Sequence, residues 1–140
     1  TIKSVIPHLH FNGEAARAIE LYEKALGAKV LARMTWSELP GGQKVPAADA
    51  GKIMHARLQV GEATLLLADA TSSGPPGPPG NGSIMLELED PQEMASRFDA
   101  LSAGGTVTMA IHDAFWGARF GMLVDAVGVA WMFHCPNPKP

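Results

Sequence analysis

Two stretches decide the fold: IPHLHFNGEAARAIELYEKALGAKV (6–30) and SIMLELEDPQEMASRFDALSAGGTV (83–107). At a shift of 77 residues, Leu9 falls on Leu86, Phe11 on Leu88, Ala18 on Ala95, Leu21 on Phe98, Gly27 on Gly104 and Val30 on Val107. No gap is needed between residues 5 and 107. Few of these matches are identities. What repeats is the physical pattern: an alternating strand, an apolar stripe at helical spacing, and a glycine that stops the helix. A fixed shift across three features marks an internal duplication.

Working outward, the first copy reads as a strand over Lys3–Phe11 and a helix over Glu14–Leu26. The helix buries Ala15, Ala18, Ile19, Tyr22, Ala25 and Leu26. A second strand spans Lys29–Ser37. A Gly/Pro/Ala-rich loop follows (38–52), then a hairpin of Ile53–Val60 and Ala63–Ala68 across Gly61-Glu62. The Gly-Pro-Pro run at 71–82 is too short for a collagen helix and reads as a linker. The second copy opens with a strand over Ser83–Glu89. Asp90 and Pro91 start a helix, with Glu93 placed for a capping box and Met94, Ala95, Phe98 and Leu101 as its stripe. Gly104-Gly105 ends it, and three strands follow: Thr106–His112, Phe120–Asp125 and Val129–Cys135. The expected fold is α+β: two tandem βαβββ modules, about 3–70 and 83–135, forming one domain with a shared cleft.

Composition limits the function classes. The 140 residues are 46% hydrophobic and 18% charged, enough for one ordinary core. The net charge of −3 gives no basic footprint, so neither nucleic acid nor an anionic membrane is an expected partner. No apolar run approaches a membrane span, and TIKSVIPHLH (1–10) has no signal-peptide pattern, so a cytoplasmic protein is expected. Cys135 is the single cysteine, which excludes an intramolecular disulfide.

Paired βαβββ units resemble the vicinal oxygen chelate superfamily, which includes glyoxalase I and the bleomycin and fosfomycin resistance proteins. LYEKALGAKV (21–30), MHARLQVG (54–61), LLLADA (65–70) and FWGARFGMLVDAVGVAWM (115–132) look like its PhnB-like branch. The methyltransferase label often attached to that branch finds no support, because no glycine-rich turn for a methyl-donor nucleotide follows the first strand. The resemblance implies a homodimer, with the FWG segment (115–117) as the candidate contact.

Superfamily chemistry rests on a divalent metal held by four strand positions. Counting from the family pattern and from the turn glycines, these fall here on Ile6, Leu65, Ser83 and Met132. None offers imidazole or carboxylate, so no metal cofactor is expected at the family site. Histidines nevertheless share the face of the lost ligands. Strand alternation puts His8, His10, His55, Glu87 and His134 toward the cleft. Three readings stand for them: hydrogen-bonded polar lining, general acid–base work, or a divalent metal at positions of its own. His55, inside MHARLQVG, is the candidate catalytic residue.

Phe115, Trp116 and Phe120 are candidate caps for an apolar ligand, or else core or dimer-interface residues. Arg119 either binds an anionic substrate group or pairs with Asp125. Asp69, at a strand end, reads as a turn cap, and Cys135 as a structural thiol. The resulting expectation is a metal-free protein that binds a small organic molecule. The alternative is an enzyme, such as a lyase, isomerase or dioxygenase, using a cleft histidine or a displaced metal.

Overall fold

A computed structural model of the chain describes residues 1–38, 45–71 and 82–138. The chain divides into two compact units, Thr1–Pro79 and Gly80–Pro140. The first holds β1 (His8–Phe11), α1 (Ala15–Leu26), β2 (Lys29–Thr35), β3 (Ile53–Val60) and β4 (Ala63–Asp69). The second holds β5 (Ile84–Glu87), α2 (Pro91–Ser102), β6 (Thr106–Ala114), β7 (Ala118–Val124) and β8 (Ala130–Pro136). Strand orders are β1-β4-β3-β2 and β5-β8-β7-β6. In each sheet the short first strand pairs parallel with the last, and the other pairs are antiparallel. This is the α+β duplication expected from the sequence. Part of the 38–52 loop (39–44) and most of the 71–82 linker (72–81) lie outside the described residues. No helix among the described residues is long and apolar enough to cross a membrane.

Each helix packs one stripe on its sheet. In α1 the six expected residues are all buried, against Phe11, Ile53, Ala56, Leu58, Leu65 and Leu67 of the strands. In α2 the buried stripe is Met94, Phe98 and Leu101, with Phe98 edge-on to Phe133 at 5.2 Å. Ala95 is exposed, contrary to expectation.

That exposure corrects the gapless shift. Leu9 pairs with Leu67 and Leu86 with Phe133, so the strands do match at 77. The buried positions Ala18, Tyr22 and Ala25, however, correspond to Met94, Phe98 and Leu101, a shift of 76. Between equivalent buried positions of strand and helix the second unit therefore has one residue fewer, although three residues separate the two elements in each unit (12–14 and 88–90). The residue returns after the helix, where Gly27 (φ +66°) and Gly104 (φ +76°) again match at 77.

Several strand limits also move. β1 starts at His8 rather than Lys3, because Pro7 has no N–H for the ladder; its carbonyl accepts from the Leu66 amide at 3.0 Å. β6 runs on to Ala114 and β7 begins at Ala118, which leaves Phe115-Trp116-Gly117 as the hairpin turn. β5 is confined to Ile84–Glu87.

Helix starts differ in a linked way. Asp90 accepts from the Gln92 amide at 3.0 Å, and Pro91 has no amide to satisfy. Glu93 does not complete a capping box; its carboxylate lies 3.5 Å from Arg97. In α1 the position matching Pro91 is Ala15, whose amide is capped from afar by Asp69 at 3.0 Å. Buried Asp69 also takes the Gly13 amide at 2.8 Å and the Ile53 amide at 3.0 Å. It therefore ties the ends of β1, α1 and β3 to β4.

Candidate functional site

Register fixes what each sheet presents on the face away from its helix. In the first sheet, Ala56 and Leu58 are buried, which turns His55 and Arg57 to the open face. His8, Leu66 and Arg57 form one row across β1, β4 and β3. His10 lies beside Ala68, and His55 opposite Met34. His8 Nδ1 and His10 Nε2 are 2.7 Å apart, a hydrogen bond that one imidazole donates and the other accepts. Burial first, then the neighbouring His10 and His55, hold His8 below the ordinary histidine value.

The second sheet's open face has a different chemistry. Its first row is Met85, Met132, Met122 and Met109, one methionine from every strand. Its second row is Glu87, His134, Phe120 and His112. Trp116 reaches over from the β6–β7 turn. Its indole N–H donates to His134 Nε2 at 3.1 Å, with the two rings within 8° of parallel. Phe120 lies across both, 5.4 Å from Trp116 and 6.4 Å from His134. His134 Nδ1 is 3.5 Å from a Glu87 carboxylate oxygen. Phe115 packs edge-on to Trp116 at 5.0 Å and is otherwise exposed.

The expected site residues thus separate into two groups. His8, His10 and His55 share the first sheet's open face, and Glu87, Trp116, Phe120 and His134 the second's. Arg119 joins neither. It points to the opposite face from Phe120, beside Cys135 in the register, and pairs with Asp113 at 3.6 Å. The pairing with Asp125 is replaced by a turn: Asp125 accepts from the Val127 and Val129 amides at 3.0 Å each and from the buried Trp131 indole at 2.8 Å. His112 and the methionine row escaped the sequence reading. Register shifts in β6 between Val107 and Met109 and between Met109 and His112 break the alternation that would have placed them.

The superfamily metal positions need one correction. Leu65 is buried on the helix side, and Leu66, beside His8, occupies the open-face position. The turn before β4 and the turn before β8 differ in length, so an equal count from their glycines slips by one residue. The corrected set is Ile6, Leu66, Ser83 and Met132. The Ser83 hydroxyl donates to the Met132 sulfur at 3.0 Å. Two hydrocarbons, a neutral hydroxyl and a thioether do not fit a hard or borderline divalent ion. Among the described residues, no three His, Cys, Asp or Glu side chains are grouped to hold a metal.

A family model described as the Glyoxalase/Bleomycin resistance protein/Dioxygenase superfamily matches residues 5–133. The chain belongs to that superfamily. It is similar to protein PA1353 from Pseudomonas aeruginosa, with 36% identity, coverage of 98% of this chain and 100% of that one, and a TM-score of 0.86. It is also similar to protein YjdN from Escherichia coli, 29% identical over 96% of each chain. A PhnB protein from Bacillus cereus shares the fold at 19% identity, covering 95% of this chain and 99% of that one with a TM-score of 0.77.

Proposed function

We propose that this chain is a PhnB-like member of the superfamily that binds a small organic molecule without the superfamily metal. The observation carrying this reading is the row Met85–Met132–Met122–Met109 beside Phe120 and Trp116. Unbranched thioethers adapt to the shape of an apolar partner, and aromatic edges add contact area. The likeness to the Bacillus cereus PhnB protein supports the branch. We place the protein in the cytoplasm as a homodimer. Its one cysteine is buried and free, which suits a reducing compartment. Exposed Val30 and Leu31 on β2, and Val107 and Met109 on β6, leave apolar edge strands for a second copy to cover. Light scattering at micromolar concentration should give twice the chain mass; a monomer overturns the dimer.

A thermal-shift screen of small aromatic and aliphatic compounds tests the binding reading. Ligands should raise Tm, and Met122→Ser should weaken them; a screen without hits rejects it. A second reading, an enzyme, rests on the first sheet. There His8 stays neutral at neutral pH and is hydrogen-bonded to His10, so imidazole bases stand beside His55. Loss of any measured turnover in His55→Ala, with folding intact, would favour it.

A further inference from the structure

Resting on the binding reading, we infer that His134 Nε2 is the acceptor for a hydroxyl or N–H group on a planar aromatic ligand, a place that the Trp116 indole fills in the free protein. An indole nitrogen only donates, so the bond to His134 Nε2 requires a lone pair there. The imidazole proton then sits on Nδ1. That atom is buried and makes no hydrogen bond within the protein. The Glu87 carboxylate oxygen, 3.5 Å away, is the charge that holds the proton on that side. Glu87 is thus a positioning residue, and His134 presents a fixed acceptor to the open face.

The surroundings are shaped for a flat ring. Phe120 stands at 71° to both the indole and the imidazole, and the indole lies nearly parallel to the imidazole while meeting it through its N–H. The indole itself is half exposed and rides on a two-strand turn, not on the sheet. Its hydrogen bond is therefore one that a ligand can replace atom for atom: ring for ring, donor for donor. The adjacent methionine row receives the rest of an apolar body. An ether or a plain hydrocarbon fills the same space but leaves His134 without a donor, which costs affinity.

Phenol and anisole are the probes, identical in ring and differing in the donor. With the whole chain labelled at Trp and His nitrogen and Met methyl, millimolar phenol should release the Trp116 indole resonance toward that of free indole. The Trp36 and Trp131 indoles, held by the Asp69 carbonyl and the Asp125 carboxylate, serve as fixed references. Anisole should bind about three- to tenfold more weakly, the worth of one net hydrogen bond. Trp116→Phe should tighten phenol by a similar factor, and His134→Phe should abolish the preference for phenol over anisole. Equal binding of the two probes, seen at the methionine methyls, overturns this inference and leaves the apolar binding reading standing. Phenol binding that leaves the Trp116 indole and the His134 ring unmoved overturns it as well. The wild-type comparison does not depend on either variant folding.

Discussion

Single polar side chains hold the termini of these elements together, and their cost of removal is correspondingly local. Asp69 accepts three backbone amides from three different segments while almost fully buried. Asp69→Ala leaves all three donors without that partner, which should destabilise the fold by about 3 kcal/mol or more; denaturant unfolding measures it. The matching position in the second unit is Cys135, where the counterpart of the Ala15 amide does not exist because Pro91 starts α2. Burial, with Asp90 nearby, pushes the Cys135 thiol up, only partly offset by Arg119, which suits a packing role. His8 supplies a pH dependence whose sign follows from its lowered value. The unfolded chain protonates first as pH falls below 6.5, the ordinary value, so stability is present above that pH and is lost below it. The groups facing His8 are cationic or neutral: His10, His55 and Arg57, with Leu66 between. Urea midpoints should fall between about pH 7.5 and about pH 5.5, and fall less in His8→Gln. An equal fall in both proteins would reject His8 as the cause. Asp69 was legible as a cap from its place at a strand end. Its three partners were not, because they come from residues distant in sequence.

Elements were legible where apolar spacing is unambiguous and illegible where two neighbouring residues are both apolar. Met94 and Ala95 each fit a helical stripe, so the loss of one residue between the buried positions of β5 and α2 left no mark in the pattern. Only burial separates them: Met94 is inside and Ala95 outside. Leu65 and Leu66 posed the same problem on β4. The hairpin around Trp116 was hidden differently, since Asp113 and Ala114 have no strand-like composition yet pair with Arg119 and Ala118. Glycine at the start of β6 has a steric reason that the sequence showed only as a helix stop. A Cβ on Gly105 would lie 2.2 Å from the Val124 carbonyl oxygen and within 3 Å of the Asp125 backbone. Backbone atoms cannot swing away as a side chain does. Gly105→Ala should therefore cost on the order of 2–3 kcal/mol by forcing β6 from β7, while Gly82→Ala, whose Cβ meets nothing within 4 Å, serves as the neutral control. Equal melting temperatures for the two variants would refute the contact.

For the whole molecule, duplication preserved the scaffold while the two open faces diverged: three imidazoles and a guanidinium on one sheet, a row of four thioethers beside aromatics, two imidazoles and a carboxylate on the other. The run FWGARFGMLVDAVGVAWM, read as the most family-like, serves two ends: Asp125 and Trp131 build the turn into β8, while Trp116, Phe120, Met122 and Met132 lie on the open face. The metal prediction follows from the faces themselves. A four-ligand divalent site gains its affinity from several charged or imidazole donors converging on one ion, and Ile6, Leu66, Ser83 and Met132 supply none. Protein purified without added metal should carry well under one divalent ion per chain, and Met132→Glu alone should not change that, because a single carboxylate leaves three positions without a strong donor. If the first sheet's histidines bind metal instead, occupancy should fall as the pH is lowered, since protonated imidazole cannot ligate, and should vanish in His55→Ala. Elemental analysis of wild type and His55→Ala separates the outcomes. About one zinc, nickel or manganese per chain, lost in the variant, would replace metal-free binding with metal-dependent chemistry on the first sheet and leave the methionine face of the second untouched.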